Sequence, residues 1–176
     1  MPSVTVWLYP TAFGAETSEV YLTSLVERGA LVVHDAVAVS WVPRDRAPRI
    51  RHLEHLTARS AGRGAMWGAA VGLLFLNPVA GAAVGAAAGG GAQRLRDAGI
   101  GDDLIAKVRE AVKPGTSALF VMSSGADATQ VGPVIQRSEG VLIHAELSDE
   151  GTAVLEELGR SVPEDAEGTP DAEDAD

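Results

Sequence analysis

The sequence predicts an α+β fold with an inserted helical hairpin, and two observations carry this prediction. Strand-like and helix-like segments follow the order β-α-β in each half of the chain. Between the halves lies a stretch of thirty residues without a single charge, residues 64–93. Two β-α-β units that share one sheet form a ferredoxin-like, split βαβ sandwich. We therefore expect such a sandwich with a glycine-zipper helical hairpin inserted between its halves.

This organisation divides the chain into four parts. Residues 1–48 form the first βαβ half, and residues 49–98 form a basic helix and the glycine-rich apolar hairpin. Residues 99–160 form the second half, with the order α-β-α-β-α, and residues 161–176 form a disordered acidic tail. The net charge of −10 is concentrated there, because residues 163–176 hold seven acids and no base. Such a tail is expected to act as a solubilising or an interaction segment.

In the first half, residues 4–9 (VTVWLY) are β-branched and aromatic, which predicts a strand. A helix is expected over residues 17–28, with Thr17 or Ser18 as its N-cap and Gly29 as its stop.

A long strand follows over residues 31–42, and residues 49–61 predict a short basic helix. The alternating apolar residues of the strand are expected on one face of the sheet: Leu31, Val33, Val37, Val39 and Trp41.

The second half begins with an amphipathic helix over residues 102–112, capped by Asp102 or Asp103. Residues 117–122 (SALFVM) are apolar on both faces, as expected of a central strand. A helix over residues 127–137 is expected to be interrupted or capped near Gly132 and Pro133.

A fourth strand is predicted over residues 141–147 (VLIHAEL). Ser148 is expected to cap a last short helix that ends near Leu158.

Glycines recur every four residues on both sides of Asn77-Pro78, where proline is expected to break the helix. Residues four apart share one helix face, so each arm carries a stripe that allows close helix packing. The predicted packing stripe, which also serves self-association, is Gly64, Gly68, Gly72, Gly81, Gly85 and Gly89. The predicted turn and lipid-facing tip is Leu73, Leu74, Phe75, Leu76, Asn77 and Pro78.

The uncharged stretch is long enough to cross a bilayer once, which takes about 20 residues. If both halves share one sheet, however, its two ends lie on the same side of the membrane, and arginines flank both ends. Each arm of about 13–15 residues is about 20–22 Å long, shorter than a hydrocarbon core of about 30 Å. The hairpin is therefore expected either to enter the bilayer as a re-entrant element or to be buried in an oligomer.

Four segments together resemble one bacterial family: HDAVAVSW (34–41), residues 64–90, residues 95–122 and LIHAELSDE (142–150). The most specific part is Asp97-x-Gly99-Ile100-x-Asp102 followed by PGTSALF. The chain resembles the family of domain of unknown function 1269, described as predicted membrane proteins, over roughly residues 3–158. Ala145-Glu146 departs mildly from its pattern. The resemblance implies membrane association and no established activity.

Composition excludes several classes of function. The chain has no cysteine, so thiolate metal sites and disulfides are excluded. It is acidic and has no basic, aromatic-rich face, so no nucleic-acid partner is expected. No P-loop is present, and the glycines near residue 64 lack the dinucleotide-binding spacing. The N-terminus has no signal-peptide pattern, so the soluble parts are expected in the cytoplasm.

The histidines are weak candidates for a metal site. His52 and His55 would share one face of the predicted basic helix, but a metal needs a third ligand. His34, next to Asp35, and His144 are expected on opposite edges of the sheet, too far apart to pair.

The acids and serines offer no better site. Asp97, Asp102 and Asp103 are better explained as turn and capping residues than as cation ligands. Ser117, Ser123 and Ser124 have no identifiable His/Asp set, so a hydrolase triad has no support.

The sequence therefore favours a non-enzymatic protein on the cytoplasmic side of the cell membrane, which self-associates and carries no catalytic residue, metal or cofactor. Membrane lipid is the expected partner, and the sequence names no protein partner. The alternative is a soluble cytoplasmic homo-oligomer with the hairpins as its buried core and ferredoxin-like modules that bind a ligand or partner. A third hypothesis is an enzyme or metal-binding protein that uses His52, His55 or the turn at residues 97–103.

Overall fold

A computed structural model describes residues 3–57, 96–97, 99–146 and 153. Within these residues the fold is α+β, with a five-stranded antiparallel sheet in the order β3-β2-β4-β1-β5. The strands are β1 (Ser3–Tyr9), β2 (Val32–Ser40), β3 (Arg49–His52), β4 (Ser117–Ser124) and β5 (Val141–Glu146). The α-helices are α1 (Gly14–Glu27), α2 (Asp102–Ala111) and α3 (Ala128–Arg137), and a 3-10 helix spans Glu54–Leu56.

β4 is the central strand, as its sequence predicted. It pairs with β1 on one side and β2 on the other, so that Phe120 lies between Val6 and Val37. Its first seven residues are all buried. A strand that is covered on both faces and paired on both edges must be apolar throughout, which explains the absence of alternation in SALFVM.

Helices cover both faces of the sheet. On one face, α1 packs through Leu22 and Leu25, and α3 packs against the same core through partly buried side chains such as Val134. On the other face, α2 packs through Ile105 and Val108. We call these the α1 side and the α2 side of the sheet.

The prediction that the apolar residues of β2 share one face is wrong. A bulge interrupts the β2–β4 register between Val33 and Asp35. One extra residue shifts the side-chain alternation by one position. Val33 therefore packs on the α1 side, while Val37 and Val39 pack on the α2 side. Likewise, Leu31 packs on the α1 side and Trp41 packs against the α2-side core.

The predicted basic helix over residues 49–61 is also wrong for its described part. Arg49–His52 is β3, paired antiparallel with β2 from Arg49 opposite Ser40 to His52 opposite Val37. Pairing with β2 satisfies backbone groups that a short isolated helix would leave to water, so tertiary contacts override the helical pattern. Residues 58–61 lie outside the described part of the chain.

The start of α1 differs from its prediction, whereas its end agrees. The helix begins at Gly14 with Phe13 as N-cap, and neither Thr17 nor Ser18 caps it. At its end, Gly29 adopts a φ of 67°, and the Gly29 and Ala30 amides donate to carbonyls of the last turn. This is the glycine-terminated helix end that the sequence predicted.

The other two helices correct two predictions. Gly101 is the N-cap of α2, and Asp102 and Asp103 are the first two helical residues, where they still complement the helix dipole. α3 continues through Gly132 and Pro133 without interruption. The predicted helix after β5 lies outside the described residues, apart from residue 153, which is helical.

The N-cap of α3 makes stability depend on acid pH. The Asp127 carboxylate accepts hydrogen bonds from the Thr129 amide at 2.9 Å and from Gln130 Nε2 at 2.9 Å. Bonds from Gln130 and Thr129 lower the pKa of Asp127 from 3.8 to about 2. A lowered pKa in the folded state stabilises the protein above the unfolded pKa and loses that contribution as pH falls towards 2.

We predict that Asp127→Asn is less stable than the native protein at pH 6 and that this difference shrinks between pH 4 and pH 2. Asparagine also caps helices but does not titrate in this range. Urea unfolding of both proteins at several pH values measures the difference. A difference that stays constant down to pH 2 would contradict the assigned role.

Candidate functional site

The predicted packing stripe and the predicted lipid-facing tip lie outside the described residues, which stop at Thr57 and resume at Arg96. The structure does describe the residues nearest to the uncharged stretch on each side, Leu53–Leu56 before it and Arg96–Asp102 after it, which we call its two attachments. These attachments form the candidate functional site, because the chain leaves and re-enters the described domain there. The predicted stripe and tip residues stay predictions.

The N-terminal attachment follows β3 on the α1 side of the sheet. The Leu53 amide donates to the Ala36 carbonyl at 2.9 Å. Leu53 and Leu56 are buried in the α1-side core at 0% and 3% exposure. The last described residues before the uncharged stretch are thus anchored by a backbone bond and by two buried leucines.

A cluster of charged and polar side chains, Glu19, Arg51 and His55, links this attachment to α1. Both guanidinium Nη atoms of Arg51 donate to the Glu19 carboxylate, one of them at 3.1 Å. The His55 Nε2 atom lies 3.3 Å from the same carboxylate. Glu19 is only 15% exposed, and its hydrogen bonds raise the pKa of Arg51. Bidentate pairing of this kind gives directional attachment between elements that are far apart in sequence.

The C-terminal attachment lies on the α2 side. The Arg96 Nε atom donates to the Asp102 carboxylate at 2.7 Å, at the beginning of α2. Ile100 is buried in the α2-side core at 3% exposure. Gly99 adopts a φ of 86°, which permits the turn between the two. The described residues before the uncharged stretch therefore pack on the α1 side of the sheet, and those after it pack on the α2 side.

His52 and His55, the candidate metal ligands, lie on different sides of the sheet. His52 ends β3 opposite Val37, whose side chain belongs to the α2-side core. His55 instead contacts Glu19 on the α1 side. Among the described residues, no group of three His, Asp or Glu side chains is arranged to hold a metal.

His34 and Ser124 form a contact that the sequence prediction missed. The β2–β4 register places Val32 opposite Ser124, and His34 Nε2 lies 2.7 Å from Ser124 Oγ. The sequence offered no identifiable His/Asp set for these serines, and the structure places one histidine, His34, beside Ser124. The missing signal was the strand register, because the two residues are 90 positions apart in the sequence. A serine–histidine pair alone does not make an acyl-transfer site, which also requires an oriented base and an oxyanion hole.

The remaining candidates have structural roles. Asp35 is 1% exposed and lies opposite Met122 on the α2 side, directly after the bulge at His34. β4 and β1 lie between the strands of His34 and His144, so these two strands are not neighbours in the sheet. β2 is not an edge strand, however, because β3 covers it. Asp102 forms an ion pair with Arg96.

No described helix combines the length and apolarity needed to cross a membrane. The uncharged stretch lies outside the residues to which this finding applies.

The described part of the chain thus defines a mixed α+β protein with a five-stranded antiparallel sheet. The residues nearest to the uncharged stretch on its two sides pack on opposite faces of this sheet. The model of the family described as Protein of unknown function (DUF1269) matches residues 61–158, more than half of the chain. The chain belongs to this family. The match begins later than the resemblance noted from the sequence, so it includes the uncharged stretch and the second half but not β1 to β3. No curated protein and no solved structure matches the chain.

Proposed function

We propose that this chain is a non-enzymatic protein that associates with the cytoplasmic face of the cell membrane and self-associates there. Its anchor is a glycine-zipper hairpin, residues 64–93, inserted into a ferredoxin-like domain. The observation that carries the proposal is the position of the two attachments, Leu53–Leu56 on one side and Arg96–Asp102 on the other, on one sheet.

The strand order supports the ferredoxin-like assignment. In a split βαβ fold, each βαβ unit receives a strand of the other unit between its own two strands. Here β4 lies between β1 and β2, and β1 lies between β4 and β5. The two crossover helices, α1 and α3, pack on the same side of the sheet. β3 and α2 are additions to this frame, and they flank the uncharged stretch.

The attachments support a hairpin rather than a single crossing. Since both ends of the stretch belong to one folded domain, they lie on the same side of any membrane that the stretch enters. Thirty uncharged residues that go in and return leave about 15 for each arm, about 22 Å of helix. This is shorter than a hydrocarbon core of about 30 Å, so the proposed hairpin is re-entrant.

The same attachments are compatible with a second function, which the small residues of the arms favour. Alanine and glycine are only weakly lipophilic, and their stripes allow helices to approach closely. In this alternative the protein is a soluble cytoplasmic homo-oligomer, with the hairpins as its core and the ferredoxin-like domains outside as modules for a ligand or partner.

Fractionation of the untagged protein from its native host distinguishes the two functions. Membranes are washed with high salt and then with carbonate, and the supernatant is analysed by size-exclusion chromatography. Pelleting that resists carbonate supports the membrane anchor. Recovery of one large, defined species in the supernatant without detergent supports the soluble oligomer and overturns the anchor.

The packing stripe is tested by Gly81→Leu, which we expect to abolish self-association because leucine separates helices that the stripe brings into contact. The matched control is Ala83→Leu, which adds the same bulk about 200° around the helix. Size-exclusion chromatography with light scattering, in one detergent for all variants, measures the assembly. If both variants keep the native mass, the stripe does not mediate assembly.

A further inference from the structure

One end of the sheet is basic, although the protein carries a net charge of −10. The turn between β2 and β3, residues 41–48, carries the exposed side chains of Arg44 and Arg46, and the exposed Arg49 begins β3. The turn between α2 and β4, residues 112–116, carries the exposed Lys113.

The two turns are in contact. The Trp41 amide donates to the Thr116 carbonyl at 2.9 Å, and the Gly115 amide donates to the Trp41 carbonyl at 2.7 Å. Pro43 Cγ lies 3.8 Å from the position that a Cβ atom on Gly115 would occupy. The four cations are therefore carried by adjoining segments at one end of the sheet, which we call the basic end: Arg44, Arg46, Arg49 and Lys113.

The basic end keeps most of its charge. Arg49 is paired with Asp45 at 3.0 Å, an exposed pair within the same turn. Within the described part of the chain, no acidic side chain forms an ion pair with Arg44, Arg46 or Lys113. An exposed group of like charges attracts an oppositely charged segment, and arginine binds carboxylates well.

We propose that the acidic tail of this chain, residues 163–176, docks on the basic end. The tail carries seven carboxylates and no base: Glu164, Asp165, Glu167, Asp171, Glu173, Asp174 and Asp176. Charge complementarity and covalent attachment favour this occupant, because a tethered segment is present at an effective concentration on the order of millimolar.

The chain between β5 and the tail is long enough. β5 ends with Glu146 opposite Ser3, at the far end of the sheet from Tyr9 and Ser117. The eight residues of β4 span about 27 Å. Residues 147–162 reach about 50 Å when fully extended, and about 33 Å with the predicted helix over residues 148–158 in place. The tail therefore reaches the basic end from the far end of the sheet.

An anionic lipid surface is the competing occupant, and the position of the basic end argues against it. The uncharged stretch returns to the domain at Arg96, which pairs with Asp102 at the beginning of α2. Lys113 follows the other end of this ten-residue helix, about 15 Å away. The basic end is thus separated from this attachment of the proposed anchor, and the tail interaction does not depend on that anchor.

The native chain has no cysteine, so the full-length protein with Ala172→Cys takes a single nitroxide label in the tail. Nuclear magnetic resonance then measures paramagnetic broadening of the backbone amides. At about 50 mM salt we expect broadening at Arg44, Arg46 and Lys113 but not at Val32, at the other end of β2. At about 500 mM salt the broadening is expected to decrease several-fold through screening.

Two matched variants isolate the charges. One replaces all seven tail acids by the corresponding amides, and the other is Arg44→Gln/Arg46→Gln/Lys113→Gln; both are expected to abolish the broadening. The proposal is overturned if the labelled tail leaves these amides unchanged at low salt, or if the broadening survives either variant. A further test adds vesicles of phosphatidylcholine and phosphatidylserine to the native protein and to the triple variant. The proposal is also overturned if the vesicles bind the native protein more tightly than the triple variant but do not displace the tail, because lipid is then the occupant of the basic end.

Discussion

Gly14→Ala is expected to lower the free energy of unfolding by about 3 kcal/mol, the upper part of the range for overpacking a close contact. A Cβ atom on residue 14 would lie 2.4 Å from Tyr9 Cβ and 2.6 Å from Tyr9 Cγ. Tyr9 is itself 5% exposed, and burial raises its pKa to about 12. The first residue of α1 therefore packs directly on the end of β1.

The magnitude follows from which atoms collide. Tyr9 Cβ is fixed by the β1 backbone, so rotation of the Tyr9 side chain does not relieve the contact, and the start of α1 must move. At Gly140, a Cβ atom would meet the Tyr9 ring, with Cε1 at 2.7 Å. Rotation of the Tyr9 side chain moves a ring carbon but not Cβ, so Gly140→Ala is expected to cost less than Gly14→Ala.

The control for Gly14→Ala is Gly132→Ala in α3, where nothing lies within 4 Å of the added Cβ. There we expect a gain of about 0.5–1 kcal/mol, because alanine is the better helix former. Urea unfolding followed by tryptophan fluorescence, in one buffer or detergent for all variants, measures the changes. If the two alanine variants change stability by the same amount, the packing of Tyr9 against α1 is wrong.

Ser117→Ala is expected to lower the free energy of unfolding by about 2 kcal/mol through unsatisfied backbone groups. Ser117 is 1% exposed, and its Oγ atom accepts a hydrogen bond from the Ala15 amide at 3.0 Å. The same hydroxyl donates to the Thr11 carbonyl at 2.7 Å. Ala15 lies in the first turn of α1, where the amide has no partner within the helix. A serine of the central strand thus caps the helix.

Ser123→Ala provides the comparison, because Ser123 is a buried serine of the same strand and the same face of the sheet. Ser3 binds its backbone carbonyl, which the substitution leaves in place. We expect Ser123→Ala to cost clearly less than Ser117→Ala in the same unfolding measurement. Equal losses would show that the hydroxyl of Ser117 does not hold the start of α1.

The candidate site was less accessible to sequence reasoning than the fold. The uncharged stretch and its glycine spacing are visible in the sequence, but the Glu19–Arg51 ion pair at its N-terminal attachment is not. Glu19 and Arg51 are 32 residues apart, and Arg51 belongs to a segment whose pattern indicated a helix. The His34–Ser124 contact depends on a strand register, which the pattern of either strand alone does not specify.

The sequence by itself determined the α+β class, the central position of β4 and the glycine end of α1, because burial pattern and backbone freedom are local properties of these residues. Tertiary contacts decided the secondary structure at the positions where the local sequence pattern did not specify it. They made residues 49–52 a strand, since pairing with β2 satisfies their backbone, and they set the start of α1 through Ser117. They also placed the alternating apolar side chains of β2 on opposite faces of the sheet before and after a bulge at His34. The position of this bulge depends on pairing with β4, which the sequence of β2 alone does not specify.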